Sequence, residues 1–457
     1  MATTRLYRTP AGAGNQVKWT WSGWIKIAPK PTEATYWGQT LFCAYSDSSN
    51  YTELALDNSG SIDFLNVTGG STDGRLTTNR KFRDPGAWYN IVVVWDSANA
   101  SGGDRMKFYV NGVEETDFSD DTNPSSSLNS IMNSTVVTEI GSRADGANYF
   151  NGCMAHTHFA DGQAYAPSVF GETDSTSGIW VAKTAPTVTY GTNGFFLKYQ
   201  DTSNFGDDSS GETNDFTSAG TMTKTKDSPD NNFCTMNPLD NYFNDASFSN
   251  GDTTIYTDGG AVYTYNTATY HLSTGKWYWE VKVAAGTNGA GTSYEVGIAD
   301  TVSAATSEEL GHEATQWAYY GAGHIRTNNG NTGSYSTYTA GDIVGVYLDL
   351  DNNKLYFAKN GTLENSGTGV SITAPSSLAN QGYFPAAGYF DGDGSANAAY
   401  FYHNFGNGYF GTDLIASASA DAGGEGQFKY NPSTGTFDGS SKDFRALCTN
   451  NLATYGG

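Results

Sequence analysis

Pairs of acidic side chains are the residues of this sequence whose types and spacing could support hydrolysis. A glycan hydrolase needs two carboxyl groups about 5–10 Å apart across a cleft. Asp349 and Asp351 have i, i+2 spacing, but they flank a turn beside apolar segments. Glu114 and Glu115 directly follow a hairpin signal and fit a solvated strand edge. Turn and edge positions explain both pairs, so neither pair predicts a catalytic cleft.

Histidine and acidic side chains could instead bind a metal ion. The segment 308–313 (EELGHE) combines carboxylates with an imidazole, but it has no second histidine at helical spacing, which makes the motif weak. His156 and His158 have i, i+2 spacing, although residues 153–159 also alternate as a packed strand does. The sequence has no nucleophile elbow, phosphate-binding loop or dinucleotide-binding glycine motif. We predict that the protein is not an enzyme.

The composition favours strands and limits the classes of partner. Aromatic residues make up 14% of the 457 residues, and the formal net charge is −23. Aromatic side chains favour β-strands, while a strong negative charge repels nucleic acid and anionic membrane surfaces. We therefore expect neither nucleic acid nor a membrane surface as a partner. The sequence has no apolar run near the roughly 20 residues that span a bilayer, and its N-terminus lacks the apolar core of a secretory signal.

The first 170 residues have the pattern of a β-sandwich. Residues 19–27 (WTWSGWIKI) alternate, which places Trp19 and Trp21 on one face. Residues 88–95 (WYNIVVVW) indicate a further strand. The dipeptide 111–112 (NG) predicts a type I′ hairpin turn, because both central positions of that turn need a positive φ. Short, regularly spaced strands without a helical period are typical of a sandwich.

This succession of strands resembles a laminin-G or concanavalin A-like lectin domain, a jelly roll, over residues 1–170. Residues 141–143 (GSR), 150–155 (FNGCMA) and 161–165 (DGQAY) carry the more specific likeness. They are similar to the closing strands of that domain in virion proteins of marine tailed phages. The resemblance implies a jelly-roll fold for this part of the chain.

Residues 171–245 change character and predict an ordered, loop-rich connector. The segment is rich in Asp, Ser, Thr, Asn and Gly and has little periodicity. Its aromatic residues could dock on both neighbouring domains, whereas a flexible linker would lack them. These residues are Phe195, Phe196, Tyr199, Phe205 and Phe216. The segment also resembles the bridge that follows the lectin-like domain in the same phage proteins.

Residues 246–410 return to strand patterns. Their motifs, in order, are 275–283 (GKWYWEVKV), 345–350 (GVYLDL), 354–361 (KLYFAKNG) and 383–387 (YFPAA). This order resembles a SPRY domain, a bent β-sandwich used for binding protein partners. Residues 411–457 predict an extended C-terminal segment pinned to that sandwich at aromatic positions. The predicted fold is therefore all-β, with two jelly-roll-like β-sandwich domains joined by an ordered connector.

Aromatic and polar side chains at the surface are the candidates for ligand binding. Tyr, Trp, Asn, Ser and Gly together provide contact area at low entropy cost and adaptable hydrogen bonds. The candidates are Trp317, Tyr319, Tyr320, His324, Arg326 and Tyr335 in the second sandwich, and Tyr36 and Trp37 in the first. Aromatic side chains on strands are also the usual components of a core, so both interpretations stay open.

Calcium is the metal ion that the acidic loops favour. It is bound by Asp and Asn side chains and backbone carbonyls at about 2.3–2.6 Å, and lectin-like jelly rolls often hold it. The candidate ligands are Asp145 and Asn148 in the first domain, and Asp391 and Asp393 in the second. The same Asp- and Gly-rich sequences also suit turns. No cofactor is therefore certain, and calcium is the one that the sequence leaves open.

Two sandwiches without catalytic residues resemble an external virion component. The likeness to phage proteins implies a tail fibre, head fibre or similar appendage on the virion surface, made in the host cytoplasm without a signal peptide. Its partners would be other virion proteins and a host-surface glycan or protein. Such appendages assemble as symmetric homo-oligomers, and we expect a trimer. Two alternatives remain: a capsid decoration or assembly protein that binds only virion neighbours, and a glycan depolymerase.

Overall fold

The computed structural model describes residues 4–28, 38–144, 148–240, 246–257, 264–286, 291–301, 308–389 and 398–456. Within these ranges the chain is almost entirely strands and loops, which confirms the all-β prediction. Two compact units divide between Lys224 and Thr225. None of the helices in the described ranges has the length and apolar character needed to cross a bilayer.

The first unit is a two-sheet sandwich. Its strands are β1 (Arg5–Arg8), β2 (Lys18–Ile27), β3 (Gln39–Asp47), β4 (Asn50–Leu56), β5 (Ile62–Thr68), β6 (Ser71–Thr78), β7 (Trp88–Asp96), β8 (Met106–Val110), β9 (Val113–Glu114), β10 (Phe118–Thr122), β11 (Thr138–Ile140), β12 (Gly152–Asp161), β13 (Gly171–Thr173), β14 (Trp180–Ala182), β15 (Phe195–Leu197) and β16 (Thr217–Ala219). Among the described residues, one sheet has the order β10-β6-β5-β4-β3-β11-β1-β16 and the other β15-β12-β2-β7-β8-β9. β13 and β14 pair separately.

Aromatic side chains fill the space between these two sheets. The ring of Trp19 on β2 lies 5.6 Å from that of Phe64 on β5 and 6.4 Å from that of Trp95 on β7. Both Trp19 and Trp21 belong to the buried core, as the alternation of this strand predicts. The hairpin between β8 and β9 has φ of 48° at Asn111 and 80° at Gly112, so the predicted turn is confirmed.

The outer face of the six-stranded sheet is also buried. Trp24 on β2 is only 4% exposed, and the indole of Trp180 donates a hydrogen bond to the side chain of Asn90 at 3.0 Å. The hydroxyl of Thr20 donates to the backbone carbonyl of Gln163 at 2.8 Å. Residues beyond β12 therefore cover this face, which alternation alone would leave to solvent.

Part of the predicted connector completes the first sandwich. β15 extends the six-stranded sheet beside β12, and β16 extends the eight-stranded sheet beside β1. Phe195, Leu197 and Phe216 lie in the core of the first unit. The later part of the same segment belongs to the second unit, where Phe233, Cys234 and Met236 are completely buried.

The second unit is another sandwich. Its strands are β17 (Ser247–Ser249), β18 (Thr254–Thr257), β19 (Thr264–Thr267), β20 (Lys276–Ala285), β21 (Tyr294–Ala299), β22 (Gln316–Tyr320), β23 (His324–Thr327), β24 (Gly330–Thr332), β25 (Ile343–Asp349), β26 (Lys354–Lys359), β27 (Thr362–Leu363), β28 (Val370–Ser371), β29 (Phe384–Tyr389), β30 (Ala399–Asn404), β31 (Tyr409–Phe410) and β32 (Asp413–Leu414), followed by helix α1 (Thr449–Tyr455). Among the described residues, the sheets have the orders β17-β18-β30-β20-β25-β26-β27, with β28 beside β26, and β19-β29-β21-β22-β23-β24. Short 3₁₀ turns lie at Gly102–Asp104, Pro167–Val169, Pro238–Asp240, Glu364–Gly367 and Pro375–Ser377.

The C-terminal segment packs on the outer face of the larger of these sheets. Its side chains Phe428, Phe437 and Phe444 are completely buried and form a cluster with tyrosines of β20, β25 and β26. The carboxylate of Glu280 on β20 accepts hydrogen bonds from the backbone amides of Lys429 and Tyr430 at 2.9 and 2.8 Å. This C-terminal segment, which we call the tail, is thus a third layer of the second unit.

Candidate functional site

The residues predicted to bind a ligand in the second unit do not share one face of their sheet. Trp317 and Tyr319 on β22 point into the core and are 5% and 0% exposed. Tyr320, His324 and Arg326 lie on the opposite, outer face, because successive side chains of a strand alternate. The structure therefore assigns packing rather than ligand contact to Trp317 and Tyr319.

Tyr335 also stands apart from the outer-face residues. It is partly buried and packs against the core, with its ring 5.6 Å from that of Tyr319. The backbone amide of Tyr335 donates to the carbonyl of Gly323 at 2.9 Å. This tyrosine closes the rim of the core beside the β22–β23 turn.

Tyr320 and His324 carry the aromatic rings of the outer face, and both are partly exposed. They are register partners on β22 and β23, and their ring centroids are 5.0 Å apart. Burial, and then the charge of Arg326, lowers the pKa of His324 below its ordinary value. The imidazole is therefore neutral at neutral pH, and a neutral imidazole has one donor and one acceptor nitrogen.

Arg326 supports this face through contacts with two buried carboxyl groups. Its side chain is 12% exposed, and its Nε donates to Oε1 of Glu309 at 2.9 Å. Its Nε also lies 3.9 Å from Oε1 of Glu295, whose side chain is completely buried. Burial raises the pKa of Glu295 well above its usual range, and the Arg326 charge opposes that shift. Arg326 is therefore a positioning residue for the face.

The segment just before β22 is held over the outer face by the same network. Oε2 of Glu295 accepts the backbone amide of Leu310 at 3.0 Å. Oε1 of Gln316 accepts the amide of Gly311 at 2.9 Å, and its Nε2 donates to the hydroxyl of Tyr265 at 3.1 Å. Leu310 lies in a small buried cluster on this face. The sequence alone does not single out Glu295 or Gln316. Only strand parity, which places both side chains on the outer face, distinguishes them.

β23, which begins at His324, continues into an exposed hairpin with β24. β23 and β24 are joined by Asn328 and Asn329, both with positive φ, and β24 is exposed along its length. The amides of Asn328 and Asn329 donate to the carbonyls of Glu313 and Gly311, each at 3.1 Å. We call Tyr320, His324 and residues 328–332 the β22–β24 surface. It combines two partly exposed rings with a rim of amide and hydroxyl groups.

Most of the remaining predicted ligands lie outside the described residues. These are Tyr36, Trp37, Asp145, Asp391 and Asp393. Asn148 is described, and its backbone carbonyl accepts the amide of Thr40 at 2.8 Å. Its φ of 58° is compatible with the turn interpretation. The calcium prediction stays a prediction.

The acidic pairs are part of ion pairs that hold the fold. Asp349 is completely buried and accepts a hydrogen bond from Nζ of Lys442 in the C-terminal segment at 2.7 Å. Asp351 accepts the amide of Gly275 at 2.8 Å. Glu114 accepts from Lys107 at 2.7 Å. These contacts agree with the turn and edge interpretations.

His158 is a core histidine. Its ring is stacked 3.9 Å from that of Phe196, and its Nδ1 lies 2.9 Å from the hydroxyl of Tyr190. Burial, with smaller contributions from His156 and Lys198, lowers its pKa well below the ordinary value. A bulge between β12 and β2 separates His156 from His158 in the strand register. The packed-strand interpretation fits this geometry.

We predict that acid destabilises the first unit through His158. Its folded pKa is lowered while its unfolded pKa is ordinary, so the unfolded chain takes up a proton as the pH falls below about 6.5. The free energy of unfolding should then decrease by up to about 1.4 kcal/mol per pH unit. Urea unfolding of the first unit at pH 7.5 and 5.0 measures this slope. A His158→Phe variant should show a smaller slope, and an unchanged slope would contradict the assignment.

Comparison with known families places two domains along the chain. Residues 3–169 match the family model described as the concanavalin A-like lectin/glucanases superfamily, and residues 276–397 match that of the SPRY domain. The chain carries a lectin-like domain and a SPRY domain. Together the two domains indicate a role in binding or recognition. The β22–β24 surface lies within the SPRY match.

Solved structures give further similarities. The SPRY domain of human HERC1 is 18% identical, with a TM-score of 0.29, and the match covers 36% of this chain and 96% of that one. The TRIM65 PSpry domain is 11% identical, with a TM-score of 0.27 and coverages of 37% and 91%. The heptameric SAP-like pentraxin from Limulus polyphemus is 16% identical, with a TM-score of 0.27 and coverages of 41% and 89%. No curated protein matches the chain.

Proposed function

We propose that the protein is a non-enzymatic recognition protein on a virion surface, a tail or head appendage that binds a glycan or protein of the host cell. The observation that carries the binding role is the β22–β24 surface in the SPRY domain. The virion context is supported by the resemblance of residues 141–165 to marine phage proteins. Other virion proteins would be its second class of partner.

The chemistry of the β22–β24 surface suits a polar ligand. The rings of Tyr320 and His324 offer faces on which an apolar or sugar face can pack, and the neutral imidazole can hydrogen-bond. The exposed hairpin adds the side-chain amides and hydroxyl of Asn328, Asn329, Asn331 and Thr332. Such groups are adaptable hydrogen-bonding partners.

The support beneath this surface reduces the cost of binding. Arg326 and Gln316 hold the neighbouring segment from below, and the hairpin tip is hydrogen-bonded to it at Glu313 and Gly311. A surface that is ordered before binding loses less conformational entropy when the ligand arrives. We further propose a trimeric assembly, because several copies of a weak site bound together raise the overall avidity.

Binding of the purified, fluorescently labelled protein to candidate host cells tests this function. We expect saturable binding that excess unlabelled protein displaces. Repeating the titration in EDTA, and then with calcium restored, determines whether the calcium sites predicted from sequence contribute. Binding to empty capsids but to no host cell would instead favour a decoration protein. Release of reducing ends from host glycan would favour a depolymerase.

A further inference from the structure

A cluster of potential metal ligands lies next to the contacts that Arg326, Glu295 and Gln316 make on the outer face. Nδ1 of His312 is 3.7 Å from Oε1 of Glu308 and 3.4 Å from Oε1 of Glu313. One ligand atom from each of the three side chains lies within 4.8 Å of the others. The side chains of His312 and Glu308 are 33% and 20% exposed, and that of Glu313 is 53% exposed. The cluster therefore lies at the protein surface.

The imidazole of His312 has an unused nitrogen at the centre of this cluster. Its Nδ1 is buried as an atom and makes no hydrogen bond with any residue that the structure describes. The distances to the two carboxylate oxygens are longer than the roughly 2.7–3.2 Å of a hydrogen bond. Donor atoms around a tetrahedral zinc at about 2.0–2.1 Å are about 3.3 Å apart. The observed spacings of 3.4 and 3.7 Å are close to that value.

The turn that carries the three side chains is fixed by its neighbours. Between the two outer ligands, Glu309 is paired with Arg326 and the amide of Leu310 is bound by Glu295. Gly311 has a φ of 99°, and its amide is bound by Gln316. None of these contacts uses the three potential ligands. The backbone is thus positioned independently of any ion, as a site with supporting outer-shell contacts requires.

We propose that Glu308, His312 and Glu313 bind a divalent transition-metal ion of the zinc class. One imidazole and two carboxylates are nitrogen and oxygen ligands typical of zinc, whereas calcium takes six to eight oxygen ligands. Three protein ligands leave one position of a tetrahedral ion open for water or another oxygen donor. The hairpin amides of Asn328 and Asn329 bind the carbonyls of this same turn, so the ion also steadies the β22–β24 surface.

Isothermal titration of the full chain with Zn²⁺ tests the site. The buffer contains about 0.15 M salt, because that ionic strength screens weak attraction of the ion to the acidic surface. We expect one zinc per chain at this site, and a higher thermal unfolding temperature for the SPRY domain when zinc is present. His312→Ala should weaken binding at least about 100-fold, the upper end of what loss of an outer-shell partner costs. The exposed His271 provides the matched control, and His271→Ala should bind zinc as the parent does.

A second variant separates loss of ligands from loss of fold. Glu308→Gln combined with Glu313→Gln keeps the side-chain sizes and removes the two charges, so it should unfold like the parent without zinc and bind zinc at least about 100-fold more weakly. Co²⁺ should give the visible absorption of a tetrahedral site in the parent and not in His312→Ala. Equal zinc affinity in the parent and His312→Ala, or tighter binding of Ca²⁺ than of Zn²⁺, would overturn the proposal. Zinc binding and host-cell binding are measured separately, so either can fail alone.

Discussion

Ending the chain at residue 410 is expected to abolish folding of the SPRY domain while the first unit still folds. The tail supplies Phe428, Phe437 and Phe444, all completely buried against the tyrosines of β20, β25 and β26. Removing one buried phenylalanine side chain costs about 3–5 kcal/mol. A whole domain is stable by only about 5–15 kcal/mol. Loss of all three, about 9–15 kcal/mol, is therefore comparable to the whole stability of a domain.

The truncation also removes hydrogen bonds and an ion pair that join the sandwich to its tail. Glu280 loses the amides of Lys429 and Tyr430, and the completely buried Asp349 loses Lys442. Each hydrogen bond to a charged group contributes about 1.5–3 kcal/mol to stability. The sandwich and its tail therefore form one folding unit.

Urea unfolding followed by circular dichroism measures this prediction. The truncated chain should retain only the transition of the first unit. In the full chain, Phe444→Ala should lower the free energy of unfolding of the second unit by about 3–5 kcal/mol. Leu414→Ala is the control, since Leu414 is 51% exposed and should change stability by less than about 0.5 kcal/mol. A truncated chain with both transitions intact would contradict the layered arrangement.

Replacing Arg326 by alanine is expected to destabilise the SPRY domain by about 3–5 kcal/mol, the usual cost of leaving a buried charge without its partner. The change removes the cation that faces Glu309 and Glu295, whose side chains are 5% and 0% exposed. It also frees the segment that precedes β22, because Glu309 anchors that segment through Arg326. The loss should therefore affect both stability and the order of the β22–β24 surface.

The same unfolding experiment measures the Arg326 effect, with a matched control on an exposed pair. Nζ of Lys282 lies 3.9 Å from a carboxylate oxygen of Asp413, whose side chain is 78% exposed. Lys282→Ala should cost less than about 1 kcal/mol, as surface ion pairs do. If Arg326→Ala is as mild as Lys282→Ala, the ion pairs do not support the outer face.

The strands of both sandwiches could be predicted because each depends on the alternation of residue types over a few consecutive positions. Alternation placed Trp19 and Trp21 in the core, and Asn111-Gly112 specified its turn. The roles of β15 and β16 could not be predicted in the same way. Each has three residues and pairs with a strand far away in sequence, β12 or β1. Such pairings depend on the assembled fold rather than on a local period.

Only part of the candidate site could be predicted from the sequence. A dense aromatic segment indicated the β22–β23 region, but composition did not separate the core side chains Trp317 and Tyr319 from the outer Tyr320. Strand parity makes that separation once the strand bounds are known. Glu295 and Gln316 were missed because a buried polar residue gains its meaning from partners across the sheet, here Leu310 and Gly311.

Host-cell binding by two histidine variants tests most directly whether the β22–β24 surface recognises the ligand. His324 is partly exposed beside Tyr320, and His271 is an exposed histidine elsewhere in the second unit. Flow cytometry with labelled protein gives the dissociation constant of each variant, and urea unfolding verifies that both are folded. We predict that His324→Ala weakens binding by about tenfold or more, as loss of an interface hot spot does, while His271→Ala binds like the parent. Equal binding by both folded variants would contradict the assignment of recognition to this surface.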